Sequence, residues 1–326
     1  MALPQFIRRR FITIGGVIAV LLVAGVLQLA SANPAESQNA VLTAYAATQD
    51  PGLDPASSEW ANAVHVQVPL TAQAGTYAAG GGSIPVVSAR ALHFNGVLYV
   101  RVEWDDATKD ETTTKVENFS DAVAVEFPAK SATSVPSICM GQAGAGVNIW
   151  QWRADSEQGL KDPADVYTNA LVDAYPSKED VFYTARYVGN PYAMPGLGPV
   201  QTLLAQAFGT LSPAANQDVH GKGAYNNGRW AVVFARPFGG LDTDQASFGA
   251  GVKTDMAVAV WNGSEGDRNG RKSVSPFVTL SVTSANAPSG GGTNMVLVLT
   301  AIGVLVAAAA IGLGLATYGY REGRSS

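Results

Sequence analysis

The residues best equipped for chemistry lie in Ile138–Asp155, ICMGQAGAGVNIWQWRAD. Cys139 and Met140 stand at the lip of a glycine-rich loop that runs into VNIWQW, a β-prone segment with two tryptophans. A thioether is a soft, polarisable donor, and glycines let backbone come close to a flat molecule that aromatic rings can back. That combination suits the wall of a haem pocket. Taken alone, the same residues favour a plainer reading: a glycine-rich turn before a core strand, with Met140 as filler.

Other chemistries find little support. The single cysteine excludes an internal disulfide, and without Cys-x-x-Cys-His there is no covalent c-type haem attachment. The three histidines, His65, His93 and His220, form no pair at metal-ligand spacing, which argues against zinc and bis-histidine haem. GQAGAG at Gly141–Gly146 is followed by no βαβ unit and is not a dinucleotide fingerprint. No Gly-x-Ser-x-Gly elbow occurs, and Asp105, Asp106, Asp110 and Glu111 read as a solvated polar loop. A net charge of −5 gives no footprint for nucleic acid. Catalysis by this chain alone is the weakest reading.

The elements that must position these residues are mostly strands. Short alternating or β-branched runs recur at Val64–Leu70, Val97–Trp104, Ala122–Phe127, Trp230–Ala235, Met256–Trp261 and Phe277–Val282. Asn95-Gly96, Asn262-Gly263 and Asn269-Gly270 supply turns between them. After the first of these turns, Leu98, Val100 and Val102 alternate with Tyr99, Arg101 and Glu103, the pattern of a strand with one buried face. The expected fold is all-β, an antiparallel sandwich with short helices and long loops. Between Tyr187 and Gly228 the chain turns rich in Pro, Gly, Asn and Tyr, with one short helical candidate at Val200–Phe208.

Both ends carry apolar runs. Residues 11–30 are uncharged and follow Arg8-Arg9-Arg10; Met295–Tyr318 is also uncharged and precedes Arg321 and Arg324. Each is long enough for a bilayer, which needs about 20 apolar residues. The C-terminal run reads as a transmembrane helix, and its arginines keep the tail cytoplasmic. The N-terminal run, ending in LASAN, reads as a signal peptide or, if retained, a second anchor. The expected organisation is therefore signal or anchor over 1–31, an exported domain over 32–283, a flexible linker over 284–294, a membrane helix over 295–318 and a tail over 319–326. The main domain would face the periplasmic, extracytoplasmic side of the cell membrane.

Six segments occur in one order: LDPASSEWANAVHVQVPL, ICMGQAGAGVNIWQWRAD, DVYTNALVDAYP, GPVQTLLAQAFGTLSP, VHGKGAYNNGRWAVVFARPF and AVAVWNGSEGDRNGRKSVSPFVTL. Together they resemble the haem b (gamma) subunit family of ethylbenzene dehydrogenase, which includes third subunits of dimethylsulfide dehydrogenase, selenate reductase, chlorate reductase and nitrite oxidoreductase. The resemblance covers roughly residues 49–282. It implies a β-sandwich holding one non-covalent haem b, with iron ligated by a methionine and a lysine. The methionine falls on Met140, ahead of VNIWQW; the lysine falls on Lys272 in NGRKSVS, with Lys253 as the competitor. Met194 and Met256 are rival thioethers. The resembling subunits are largely soluble and periplasmic, so the anchor is a departure from their pattern.

The chemistry of such a pair is definite. A lysine must be neutral to donate its lone pair, and with a free pKa of about 10.4 deprotonation at neutral pH costs about 4–5 kcal/mol. Burial reduces that cost, and bonding to iron supplies the rest. A thioether favours ferrous iron and raises the potential. With both axial positions filled, the site relays electrons and does not bind substrate. Cys139 could compete only as a thiolate, which an apolar setting disfavours. By the same resemblance the partners are a molybdenum-containing catalytic subunit and an iron–sulfur subunit, with a quinone or cytochrome as outside carrier. The rival reading is a haem-free, membrane-tethered sandwich that binds carbohydrate or another protein.

Overall fold

Why strands dominate is visible in their alternation. The computed structural model describes residues 41–73, 80–113, 115–138, 140–157, 198–242 and 244–286. Within them the strands are β1 (Val41–Ala46), β2 (His65–Pro69), β3 (Thr71–Ala72), β4 (Val86–Phe94), β5 (Val97–Asp105), β6 (Ala122–Pro128) and β7 (Val147–Arg153). They continue as β8 (Val200–Ala205), β9 (Ser212–Pro213), β10 (His220–Asn226), β11 (Arg229–Pro237), β12 (Lys253–Trp261), β13 (Ser273–Val274) and β14 (Val278–Asn286). Among the described residues, helix is confined to single turns such as Ala154–Glu157.

Two layers are formed, and β12 belongs to both. Its first half, Lys253–Met256, pairs with β14, while Ala257–Trp261 pairs with β6. One layer runs β10-β11-β5-β4-β1-β14-β12, the other β12-β6-β7-β8-β9. The main core fills the space between them. Leu98, Val100, Val102 and Trp104 of β5 meet Val123, Val125 and Phe127 of β6 and Trp150 and Trp152 of β7. Trp152 stands edge-on to Trp230 at 4.9 Å, and Phe127 to Phe248 at 5.1 Å. Such contacts add to the large apolar area that aromatic side chains bury.

One buried cation sits in this core. Arg236 is fully buried, with its guanidinium 5.2 Å from the Trp150 ring centroid and 4.9 Å from that of Phe248. It donates to Asn148 Oδ1 at 3.0 Å and to the Ala246 carbonyl. Burial pulls its pKa down to about 10, so it remains charged at neutral pH.

Three expectations are corrected. The sandwich is not wholly antiparallel, because β1 pairs in parallel with both β14 and β4. The helical candidate Val200–Phe208 is instead strand β8, whose six residues pair with β7 along the sheet, so tertiary pairing overrides local propensity. Asn262-Gly263 is not a hairpin turn: Asn262 caps a single 3-10 turn by accepting from Ser264 N. Asn95-Gly96 and Asn269 do adopt the left-handed conformations expected of tight turns. Among the described residues no helix is long and apolar enough to cross a membrane. The expected signal or anchor, membrane helix and tail, and most of the linker, lie outside the described residues.

Candidate functional site

The outward face of the second layer carries small side chains where a sheet surface is usually bulky. Period-two alternation sends Val123, Val125 and Phe127 of β6 into the core and leaves Ala122, Ala124 and Glu126 on the other face. Likewise Ile149, Gln151 and Arg153 of β7 face outward, as do Ala257, Ala259 and Trp261 of β12. Strand register arranges them in three rows: Trp261–Ala122–Arg153, Ala259–Ala124–Gln151 and Ala257–Glu126–Ile149. The alanines make a flat floor. Above it lies a cavity of about 410 Å³, within the roughly 300–1,000 Å³ typical of cofactor sites.

Met140 and Lys272, 132 positions apart in sequence, both line this cavity. Met140 is half-buried and packs on the floor cluster of Ala122, Ala124, Ile149, Leu203 and Trp261. Its φ of 73° lies in the left-handed region, unusual for methionine, and Gly141 follows at 76°. The Gly141 amide donates to the Ser137 carbonyl at 2.8 Å, and a Cβ there would lie 2.9 Å from the Ala145 carbonyl oxygen. Glycine at 141 thus permits the tight turn that presents Met140.

Lys272 enters from the opposite end of the sequence, just before β13. It is buried, with Nζ 4.9 Å from the Trp261 ring centroid. Trp261 is itself held by a 3.0 Å bond from Nε1 to the Asn269 carbonyl. The Lys272 carbonyl accepts from Gln73 N at 3.0 Å, and Gly81 lies against its backbone. Among the rivals, Lys253 is exposed and does not line the cavity, and Met256 is fully buried in the main core. Met194 and Cys139 lie outside the described residues.

The aromatic backing differs from expectation. Trp150 and Trp152 face the core, because their parity on β7 is opposite to that of Ile149 and Arg153. Trp261, Phe119 and Phe208 line the cavity in their place. The polar loop is also less solvated than its composition suggests. Asp106 is 4% exposed, and burial raises its carboxyl above the usual range.

Trp261, Arg153, Arg268 and Glu126 are among the lining residues that do not stand out as candidates in the sequence. Arg268 lies 4.7 Å over the Phe119 ring, at the exposed side of the site. Glu126 sits mid-strand among apolar neighbours, and burial pushes its pKa up to about 8 against the opposing pull of the Lys272 charge. The alternation AVAVEF contained the signal, since a lone carboxylate inside a strand with alanines on its own face is unusual.

The donor set fits haem. A thioether and an amine, neither able to form a zinc-type Cys/His cage, border one largely apolar pocket with a flat floor. The sequence model of the ethylbenzene dehydrogenase family matches residues 57–273, about two thirds of the chain. The chain belongs to the ethylbenzene dehydrogenase family. Met140, Lys272, Glu126 and the whole alanine floor fall within the matched span. A relative from Haloferax mediterranei, named as a respiratory nitrate reductase heme subunit, is 30% identical over 80% of this chain and 78% of its own. Chlorate reductase subunit gamma of Ideonella dechloratans is 26% identical over 68% of this chain and 75% of its own. A family 9 carbohydrate-binding module from Caldicellulosiruptor kristjanssonii, in complex with cellotriose, overlaps 79% of this chain and all of that one at 8% identity. Its TM-score of 0.39 is too low to bear on function.

Proposed function

We propose that this chain is a haem b electron-transfer subunit of a molybdenum-enzyme complex, passing electrons between an iron–sulfur subunit and a membrane or external carrier. One observation carries the reading: Met140 and Lys272, distant in sequence, border the same alanine-floored cavity in a member of this family. The named role of the Haloferax relative as a heme subunit supports it.

In this reading Met140 Sδ and Lys272 Nζ would hold the haem iron. When bound, haem supplies a reversible one-electron couple. The protein supplies the rest. The alanines of β6 and β12 accept a planar face without steric conflict, and Trp261 closes one end of the floor. Lys272 is buried, its Nζ set against the Trp261 ring. The tight turn at Gly141 fixes the loop from which Met140 projects. Arg268, exposed at the cavity, would offer a cation to the acidic edge of the group, as would Arg153, which in this structure pairs with Asp155. With iron held by both side chains the site would leave no place for substrate, so this chain would conduct electrons and the partner subunit would perform the chemistry. The apolar runs at 11–30 and 295–318 would hold the complex at the membrane with this domain outside.

The test is direct. Folded protein, expressed with adequate haem supply, should show a Soret band and release its haem into acidic acetone, since no Cys-x-x-Cys-His tethers it. Folded protein that never acquires a Soret band overturns the reading and favours a haem-free binding module.

A further inference from the structure

Glu126 is out of place in a haem wall. It lies in the interior of β6, opposite Ala257 on one side and Ile149 on the other. It is 9% exposed, and its Oε1 is enclosed without a hydrogen-bond partner among the described residues. A buried polar atom with no partner is costly and calls for an explanation. Its side chain has the parity of Ala122 and Ala124, and therefore faces the cavity. Lys272 lines the same cavity.

We infer that Glu126 is a positioning residue for the Lys272 amine, its carboxyl accepting a hydrogen bond from Nζ–H and so fixing the direction of the nitrogen lone pair. The inference rests on Lys272 being the axial donor. The chemistry requires something of this kind. A coordinated amine has one lone pair, given to the metal, and two N–H donors that remain in an apolar pocket. The lysine side chain is also long and flexible, so the nitrogen must be held if the donor atom is to stay on axis. Metal-ligating histidines meet the same need by donating their second ring N–H to a carboxylate or carbonyl. Glu126 is the buried oxygen on the floor available for that purpose, and strand pairing on both sides keeps its backbone fixed.

The experiment compares Glu126→Gln, Glu126→Asp and Glu126→Leu with wild type and Lys272→Ala, all as full-length haem-loaded protein. The readouts are the low-spin optical spectrum and carbon monoxide binding by the reduced form; circular dichroism and haem content control for folding. Gln keeps the length and the acceptor oxygen, so it should retain the low-spin spectrum and resist carbon monoxide as wild type does. Asp withdraws the acceptor by one methylene and Leu removes it, so both should open the lysine side. Apparent carbon monoxide affinity should rise about tenfold to a hundredfold, the usual effect of losing an outer-shell partner. If Leu does not fold, Asp decides the matter. If Lys272→Ala is altered while Asp and Leu match wild type, the role of Glu126 is overturned and Lys272 stands. If Lys272→Ala itself matches wild type, the lysine assignment falls and the inference falls with it.

Discussion

Gly81 and Lys272 are locked together at the backbone: a Cβ built on Gly81 would lie 2.4 Å from both the carbonyl carbon and the carbonyl oxygen of Lys272. Gly81 also has a φ of +83°, a conformation that side chains disfavour. The proposed ligand therefore sits on a backbone clamped from one side by Gly81 and from the other by the bond that Gln73 N donates.

Replacing Gly81 by Ala should act on the lysine and not only on stability. The overlap is with backbone, which cannot swing aside, so the Lys272 segment must move. We expect a loss of about 1–3 kcal/mol in unfolding free energy. The reduced haem protein should in addition begin to bind carbon monoxide. Thermal unfolding and optical titration of the same preparation check both parts. A destabilised variant with an unchanged spectrum would separate the clamp from ligation.

The two proposed ligands should fail differently. Met140→Ala leaves a lysine-ligated iron without the ferrous-favouring thioether, so the midpoint potential should fall. Lys272→Ala should open a coordination position to carbon monoxide or imidazole. Lys272→Arg should not restore it, because guanidinium stays protonated and offers no lone pair. Lys253→Ala is the control: its side chain is exposed and outside the cavity, so its spectrum should match wild type. A changed spectrum in Lys253→Ala with an unchanged one in Lys272→Ala would transfer the role.

How much of this was legible in the sequence follows from the range of each signal. Leu98, Val100 and Val102 alternate cleanly, and all three are fully buried as that pattern requires. Alternation is local, so it marks strands; it does not say which face of β7 meets the core. That parity is set by β6 and β8 on either side, and it turned Trp150 and Trp152 away from the cavity. The parallel pairing of β1 with β14 joins residues more than 200 positions apart and leaves no local trace. Strand β8 was read as helix because VQTLLAQAF lacks the strict alternation of a half-buried strand; five of its six paired residues are buried. The glycines around Met140 mark only a turn, and its candidacy as a ligand comes from the resemblance. Glu126 shows in AVAVEF as a lone carboxylate, but its meaning depends on Lys272, far away in sequence.

Stability should decline as pH rises through neutrality. Asp121 accepts from Asp110 N, Gly263 N and Trp230 Nε1, yet burial dominates and lifts its pKa to about 7. A carboxyl with a raised folded pKa keeps its proton where the unfolded chain has lost it. Its contribution is therefore complete below the ordinary carboxylate value of 3.8 and lost as pH climbs through about 7. The slope for one such group is at most about 1.4 kcal/mol per pH unit. Asp121→Asn cannot titrate, so urea unfolding between about pH 5 and about pH 8 should show a shallower slope. It should also cost about 1–3 kcal/mol overall, since an amide N–H₂ faces donors that need an acceptor. Glu126, raised by burial in the same sense, keeps the slope from vanishing. An undiminished slope in Asp121→Asn would place the effect elsewhere.

The alanine floor should separate haem binding from folding along a single strand. Ala124 lies between Ala259 and Gln151 in register, on the cavity face of β6, while its neighbour Val123 points into the core and is fully buried. Ala124→Leu adds bulk where a flat group must lie, but the added atoms enter the cavity and not the packed core. Haem content should fall severely, with unfolding free energy within about 1 kcal/mol of wild type. Val123→Ala should do the reverse: it removes core volume at a cost of about 2 kcal/mol and leaves the floor intact, so haem content should persist. Soret absorbance per folded protein and urea midpoints, measured on both variants, provide the comparison. If Ala124→Leu binds haem normally with the wild-type spectrum, the group does not lie on this floor, and the site must be sought on another face of the sandwich.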